Sequence, residues 1–582
     1  MKSTGKKNIR VRIIIVGIFF GLLQTVILAR AVQLHVFKGS WLSERAEEQY
    51  KKSFIATGKR GTIYDTKHRE MAASIDVKSI AGFPGSVRNP DATARTLSTI
   101  LGIGQRELKR KLSSSRSFVW IKRFATPNEA ELVKEAVLEG ISLLPEHSRV
   151  YPNRSLGSQV VGFAGIDGQG LEGLEYYYNQ YLNGATVKQT VMQDALGRRF
   201  EEDRKVAGEY DGNNIILTID KAVQYIAESA LDEAVRNNSG KSGVAIVMDP
   251  STGALLAMAH SPRFNPNAYG KFNRSRWRNR AITDSFEPGS TMKIFLAAAA
   301  LESGVCTSSS IFYCENGRYR VGGNWIHDTH KHGWLSLQQI IMVSSNIGVV
   351  KVAEKLGKDY LYSSLKQYGF SEKTGIDCPG ETTGSLSPCN RWSKIDFATI
   401  AFGQGISVSA IQLITAVSAI ANDGILMKPY IVKAITDGNG RLLENFRPQK
   451  VRVVSSPETA RTVKRIMKTV ISGDGTGSEA AIEGYTVCGK TGTAQKIKNG
   501  RYSDHDFVSS FVGFAPAEDP RIAILVVVDE PQEEHYGGIV AAPAFRRITL
   551  ETLNYLNVPP RRGVPIEHSE KLTVFRQKGA RG

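Results

Sequence analysis

The stretch EPGSTMKIF, Glu287–Phe295, puts a proline, a glycine and a serine directly before an apolar, alanine-rich run that carries one lysine in its first turn. A buried helix gains nothing from a lysine there, because an unpartnered ammonium is costly to bury. The pattern makes sense if the serine must lose a proton. Serine hydroxyls are poor nucleophiles until a base takes that proton. Ser290 and Lys293 are three residues apart, so on a helix they share a face. Burial favours the neutral amine, and a neutral amine beside a hydroxyl is a general base. The helix N-terminus adds a positive field at the serine. On this reading Pro288 and Gly289 make the turn, Ser290 attacks and Lys293 deprotonates it.

Spacing alone is weak evidence, since Ser-x-x-Lys also occurs at Ser3 and Ser363. Ser3 stands in a polar tail and Ser363 on a polar amphipathic stretch, so both read as solvated. Two other segments strengthen Ser290. IIMVSSNIGVVKVAEKLG, residues 340–357, sets Ser344, Ser345 and Asn346 in the middle of an apolar helical pattern. Polar groups in a core need partners. A kinked helix would supply them, and so would a cleft wall facing a substrate. GYTVCGKTGTAQ, residues 484–495, reads as a strand over 485–488 running into small residues against which a substrate backbone can lie. Lys490 and the hydroxyls of Thr491 and Thr493 suit a carboxylate. The similar triplets at Lys373 and Lys241 read as surface loops.

The chain has 582 residues and is 41% hydrophobic, 23% charged, with formal net charge +19. That length implies more than one domain. Lys2, Lys6, Lys7, Arg10 and Arg12 precede an apolar run from Ile13 to Ala29, which resumes beyond Arg30. With Arg30 snorkelling, residues 13–36 reach the roughly 20 residues a membrane span needs. Basic residues before the span and a large domain after it place residues 1–12 in the cytoplasm and the bulk outside the inner (cytoplasmic) membrane. Ala29-Arg30-Ala31 also fits a signal-peptide cleavage site, but the apolar run exceeds the usual ~7–15 residues of a signal. Export excludes nucleic acid as partner and directs the positive charge at a membrane surface or an anionic wall polymer.

Five cysteines are no disulfide scaffold. Local bridges Cys306–Cys314 or Cys378–Cys389 compete with free buried thiols. The IHDTHKH cluster, Ile326–His332, is better read as a cleft-edge loop than as a metal site. Residues 37–215 form an exported first module, with a helix capped by Thr126, Pro127 and Glu129 and ended by Gly140. Asp211–Asp220 reads as a turn and strand at a seam. A second module follows over 216–558: helix 221–237, strands 243–249 and 254–260, a helix-rich block from 286 to 421 that includes helix 291–302, then strands 507–515 and 522–528 and a helix 545–556. The fold class is therefore multidomain, α/β with α+β parts, strands at both ends of the second module and helices between. The tail, 559–582, has the composition of a loose end.

Ser290-x-x-Lys293, Ser344-x-Asn346 and Lys490-Thr491-Gly492, in that order, resemble the three signatures of penicillin-binding proteins and serine β-lactamases. RGTIYD (60–65), RVYP (149–152) and GLEGLEYYYNQYLNG (170–184) resemble the N-terminal pedestal, or dimerisation-like, module of membrane-anchored class B penicillin-binding proteins. MDPSTGALLAMA (248–259), FGQGISVSAIQL (402–413) and YGGIVAAPAF (536–545) resemble their transpeptidase domain. One departure stands out: the pedestal motif usually continues Asp-Arg-x-Gly, and here reads Asp65-Thr66-Lys67-His68. Ser-Ser-Asn resembles the division type. The resemblance implies a single N-terminal transmembrane helix, a pedestal and a β-lactamase-like domain with an antiparallel sheet. It implies a peptidoglycan D,D-transpeptidase needing no cofactor or metal. Ser290, Lys293, Ser344 and Lys490 would be catalytic. Asn346, Thr491, Gly492 and Thr493 would bind substrate, and the backbone N–H groups of Ser290 and Thr493 would form an oxyanion hole. The implied partners are stem peptides ending D-Ala-D-Ala, β-lactams, a membrane glycan polymerase and other division proteins. A D,D-carboxypeptidase of the same chemistry and a β-lactam-binding sensor or scaffold are the alternatives. The long pedestal speaks against the sensor.

Overall fold

The computed structural model describes residues 4–193, 199–200 and 210–561. The tail expected at 559–582 lies outside the described residues beyond Arg561. The described chain forms two compact units, one of residues 1–59 with 184–211 and one of residues 60–183 with 212–582.

In the first unit an α-helix runs Thr4–Val32 and continues through a π-helical turn, Gln33–Phe37. Its apolar stretch, Ile9–Phe37, is long and apolar enough to cross a membrane and is unburied within the chain. Arg30 Nη1 donates to Gln33 Oε1 at 2.6 Å. A second helix, Gly39–Tyr50, leads to the strand Lys51–Thr57, which pairs antiparallel with Thr186–Gln193.

The second unit contains two large sheets. The outer one joins strands distant in sequence, in the order Leu442–Asn445, Val432–Thr436, Asn214–Leu217, Ile63–Tyr64, Glu70–Gly82 and Val119–Ala125, with Ile141–Val150 also on Glu70–Gly82. Asn214–Leu217, where the sequence suggests a seam, pairs in parallel with Ile63–Tyr64 and antiparallel with Val432–Thr436. The sheet is therefore continuous through that segment. Thr126 and Glu129 form the expected capping box, but the helix is Pro127–Glu135 and stops before Gly140. Gly140 instead takes φ +73° directly before the Ile141–Val150 strand. At the departed pedestal motif His68 adopts φ +58°, the left-handed region that glycine takes without strain. Asp65 holds this turn by accepting the N–H groups of Lys67 and Arg69, at 2.9 and 2.8 Å.

Behind that sheet Glu175 is fully buried. Its Oε2 accepts Arg60 Nε at 2.5 Å, and its Oε1 accepts Arg149 Nε at 2.7 Å and the Tyr151 hydroxyl at 3.1 Å. Burial pushes the carboxyl upward, yet Arg149 and Arg60 hold it below its ordinary range. Glu175 is thus the centre of a buried ion cluster. Removing one member of a buried pair strands the others uncompensated. Glu175→Ala is expected to lower stability by about 3–5 kcal/mol, read as a fall in the urea midpoint at unchanged slope. A midpoint within error of the parent would contradict this.

The inner sheet is antiparallel, ordered Leu255–Ser261, Ser242–Met248, Ile522–Asp529, Arg501–Ala515, Cys488–Lys498. Alternate residues of a strand face opposite sides, and here both sides are covered. Val244, Ile246 and Met248 pack with Leu525 and Val527 into the core of the helical block. Ala245 and Val247 pack with Ile524 and Val526 under the helices Lys221–Asn237 and Ala542–Tyr555. Every residue of Ser242–Met248 is buried, as a strand covered on both faces requires. The helical block contains Lys293–Glu302, Asn346–Leu356, Ala410–Ala421 and Pro457–Thr469. All five cysteines are free, four of them buried, so neither local bridge forms. The multidomain fold with strands flanking a helical block is the one expected.

Candidate active site

Three segments distant in sequence meet at one corner of the inner sheet. The first is the Ser290 turn. The expected α-helix over 291–302 begins later, at Lys293, because Gly289–Met292 form a 3-10 turn. Gly289 takes φ +55°, and a Cβ there would lie 2.8 Å from the Thr493 carbonyl oxygen. Only glycine meets both conditions. Its N–H donates to Gly403 O at 3.1 Å, so the Phe402–Gly405 loop also holds the turn. Ser290 is half-buried at its tip.

In the second segment the helical pattern breaks at the serines, as the kinked reading has it. Leu337–Met342 ends, Ser344 takes φ +60°, and a new helix starts at Asn346. Ser345 is its N-cap, accepting Gly348 N at 2.9 Å. Serine and asparagine favour caps over helix interiors because their side chains compete for backbone groups. The break presents Ser344 to the sheet.

The third segment is also shifted. The strand expected over 485–488 is Cys488–Lys498, so Lys490, Thr491, Gly492 and Thr493 lie inside it. Among the described residues it is an edge strand, paired with Arg501–Ala515 alone. A Cβ on Gly492 would meet Pro288 O and Thr291 Cγ2 at 2.9 Å, so this glycine lets the strand lie against the Ser290 turn.

Side-chain geometry converges on Ser344. Lys293 Nζ donates to Ser344 O at 2.6 Å, to Ser344 Oγ at 3.2 Å and to Asn346 Oδ1 at 2.7 Å. Lys490 Nζ donates to Ser344 Oγ at 3.0 Å, and to Thr491 O and Oγ1, each at 3.2 Å. One hydroxyl thus sits between two amines. Among the described residues none of the hydrogen bonds of Lys293 runs to Ser290 Oγ. Such contacts often tighten only when substrate is bound. Both lysines are 0% exposed. Burial lowers the Lys293 amine to about 7, opposed by the charge of Asp328. Burial, then the charge of Lys293, push Lys490 well below its ordinary value. An amine near 7 can exchange protons at neutral pH, and a hydroxyl between two buried amines can relay them.

Thr491 Oγ1 is 2.9 Å from Thr476 Oγ1, and Thr493 Oγ1 accepts Gly537 N at 3.1 Å. Sequence reading missed Thr476. The glycine-flanked GDGTGS loop before the strand is its only signal. The decoys stay apart from this cluster. Ser363 is exposed and donates to Tyr360 O, and Lys241 pairs with Glu530 at 3.0 Å. In IHDTHKH, Asp328 accepts the Ser345 hydroxyl and the backbone N–H groups of Asn346 and Ile347.

Residues 243–550 match the family described as penicillin binding protein transpeptidase domain, and residues 55–217 match the penicillin-binding protein dimerisation domain. The chain is 34% identical over 567 residues to stage V sporulation protein D of Bacillus subtilis, covering 95% of this chain and 87% of that one. It is 32% identical over 543 residues to the peptidoglycan D,D-transpeptidase FtsI of Escherichia coli, covering 92% and 90%. Among solved structures, penicillin binding protein 3 of Mycobacterium tuberculosis complexed with aztreonam superposes with TM-score 0.68 at 27% identity, covering 88% of this chain and 99% of that one.

Proposed function

The chain belongs to the class B penicillin-binding proteins, and from that membership we propose that it cross-links peptidoglycan stem peptides during division through an acyl-enzyme on Ser290. It is a serine-type D,D-transpeptidase, an enzyme that β-lactams acylate. The observation that carries the residue roles is Ser344 Oγ held between Lys293 at 3.2 Å and Lys490 at 3.0 Å, beside the Ser290 turn.

In the proposed cycle Ser290 Oγ attacks the carbonyl carbon of the penultimate D-Ala in a stem ending D-Ala-D-Ala. Lys293 takes the hydroxyl proton. The developing oxyanion is met by the backbone N–H groups of Ser290 and Thr493, fixed before the reaction and therefore effective. The C–N bond breaks, and Ser344 with Lys490 hands a proton to the departing D-Ala amine. Asn346 holds the donor amide, and Thr491, Gly492 and Thr493 line the place of its terminal carboxylate. The amine of a neighbouring stem then attacks the ester, loses its proton to the same groups and forms the new amide. The cross-link appears and Ser290 is freed.

We divide the chain by function at the sequence boundaries: a cytoplasmic tail 1–12, a span 13–36, a pedestal 37–215 and a transpeptidase domain 216–558. The basic residues before the apolar helix support an N-terminus inside and a catalytic domain outside the inner membrane. The span and pedestal are the surfaces that engage a membrane glycan polymerase and other division proteins. Incubating the full-length protein in detergent with pentapeptide-bearing glycan tests the activity. Cross-linked dimers and released D-Ala in equal amounts are expected. Trimmed monomers alone would mean that water, not an amine, is the acceptor, and would overturn the reading.

A further inference from the structure

Resting on that reading, we propose that Asp328 is a positioning residue of the reaction: its carboxylate pins the turn that carries Ser344 and Asn346, and it brings negative charge to a pocket that holds two lysines. Asp328 follows the strand Asn324–His327 of the hairpin Arg318–His327. Its Oδ1 accepts Asn346 N at 2.5 Å and Ile347 N at 3.0 Å, and its Oδ2 accepts Ser345 Oγ at 2.6 Å. These are the unpaired amides that every helix N-terminus exposes. The preceding residue grips the same asparagine, since Asn346 Nδ2 donates to His327 O at 3.0 Å. Two consecutive residues therefore hold Asn346 by backbone and by side chain. Its remaining amide oxygen is left to Lys293, at 2.7 Å. Asp328 is one hydrogen-bonded residue away from the base. With N–H and O–H donors on both oxygens, it behaves as a helix cap.

The break in the helix explains why such a cap is needed. Ser344 in the left-handed region costs energy unless its surroundings hold it. Ser345 satisfies only the Gly348 amide, and Asp328 satisfies the two before it. The same carboxylate acts on the amine. Its charge favours the protonated form of Lys293, against burial. Lys490 shares the Ser344 hydroxyl with Lys293, and the charge of Lys293, after burial, pushes the Lys490 amine well below its ordinary value. The charges of Asp328, of Glu315 in the 315–317 turn and of Lys351 in the following helix all act on Cys314, with Lys351 and Glu315 paired at 3.1 Å, and His327, His330, Lys331 and His332 are close to Asp328 in sequence.

Full-length variants are acylated with a penicillin from mildly acid to mildly alkaline pH, and the rate constant is followed. Asp328→Asn keeps an oxygen for the amides of Asn346 and Ile347 but removes the charge. Its acid midpoint is expected to fall by about one pH unit, because loss of a negative charge makes Lys293 easier to deprotonate. Asp328→Ala also removes the acceptor, and its plateau rate is expected to fall about tenfold or more, as for a buried donor left unpaired. A merely structural residue would lower the plateau and leave the midpoint in place. An unshifted midpoint in Asp328→Asn overturns the electrostatic part. A plateau within about twofold of the parent in a folded Asp328→Ala overturns the anchoring part. If Asp328→Ala does not fold, the asparagine variant decides alone. Failure of the functional reading itself would appear earlier, as an unmutated chain that penicillin does not acylate.

Discussion

Ser290→Ala is expected to abolish covalent labelling by fluorescent penicillin on a denaturing gel, while Ser363→Ala is labelled like the parent. Both serines stand three residues before a lysine. Chemistry separates them. Ser290 lies on a 3-10 turn held by Gly289 and Gly403, beside two buried lysines. Ser363 is exposed, with its hydroxyl spent on Tyr360 O at 2.9 Å. An ester to the β-lactam carbonyl needs the Ser290 oxygen, so the loss is complete and not partial. The substitution removes one atom from a half-buried side chain. Thermal stability and the pedestal should therefore be unaffected, because distant sites behave independently. Labelling that persists in Ser290→Ala would assign the nucleophile elsewhere. The same variant should fail to support division as the sole copy in cells. Normal division without a second transpeptidase would point to a scaffold.

Lys293→Arg is expected to fold yet acylate about 10²–10⁴-fold more slowly, the range by which a positioned base accelerates a reaction. A guanidinium stays protonated and donates, so it cannot take the Ser290 proton. The pH dependence gives the sharper reading. Burial lowers the Lys293 amine to about 7. Above that pH the free amine is populated and acylation is fast. Below it the ammonium forms and the rate falls tenfold per unit. The unmutated protein should show this acid limb, and Lys293→Arg should show a low, flat profile across the same range. Near-normal acylation by the arginine variant would remove Lys293 from the role of base.

The legibility of this site in the sequence differs from segment to segment. The Ser290 turn was readable because its causes are local: Pro288, Gly289 and the apolar run after Lys293 are adjacent in the chain. The helix 221–237 and the capping box at Thr126 were readable for the same reason. The strand start at residue 485 was misread, and whether the helical pattern kinks at Ser344 was left open. In both cases a distant partner decides. Cys488–Lys498 extends as far as its ladder with Arg501–Ala515 allows. The helix breaks at Ser344 because Asp328, Lys293 and Lys490 all supply partners there.

The sequence by itself determined the three motifs and their order, the apolar N-terminal helix and the alternation of helices and strands, since each rests on residue identity and near-neighbour spacing. Tertiary structure alone decided that Ser344 lies between Lys293 and Lys490, that both amines are stripped of water, that Asp328 caps a helix, and that one sheet joins residues 63–64 to 432–436. The physical reason is that propensity and periodicity act over one or two turns of chain. Desolvation and hydrogen-bond pairing depend on groups brought together from hundreds of residues away, and they set the proton affinities on which this site works.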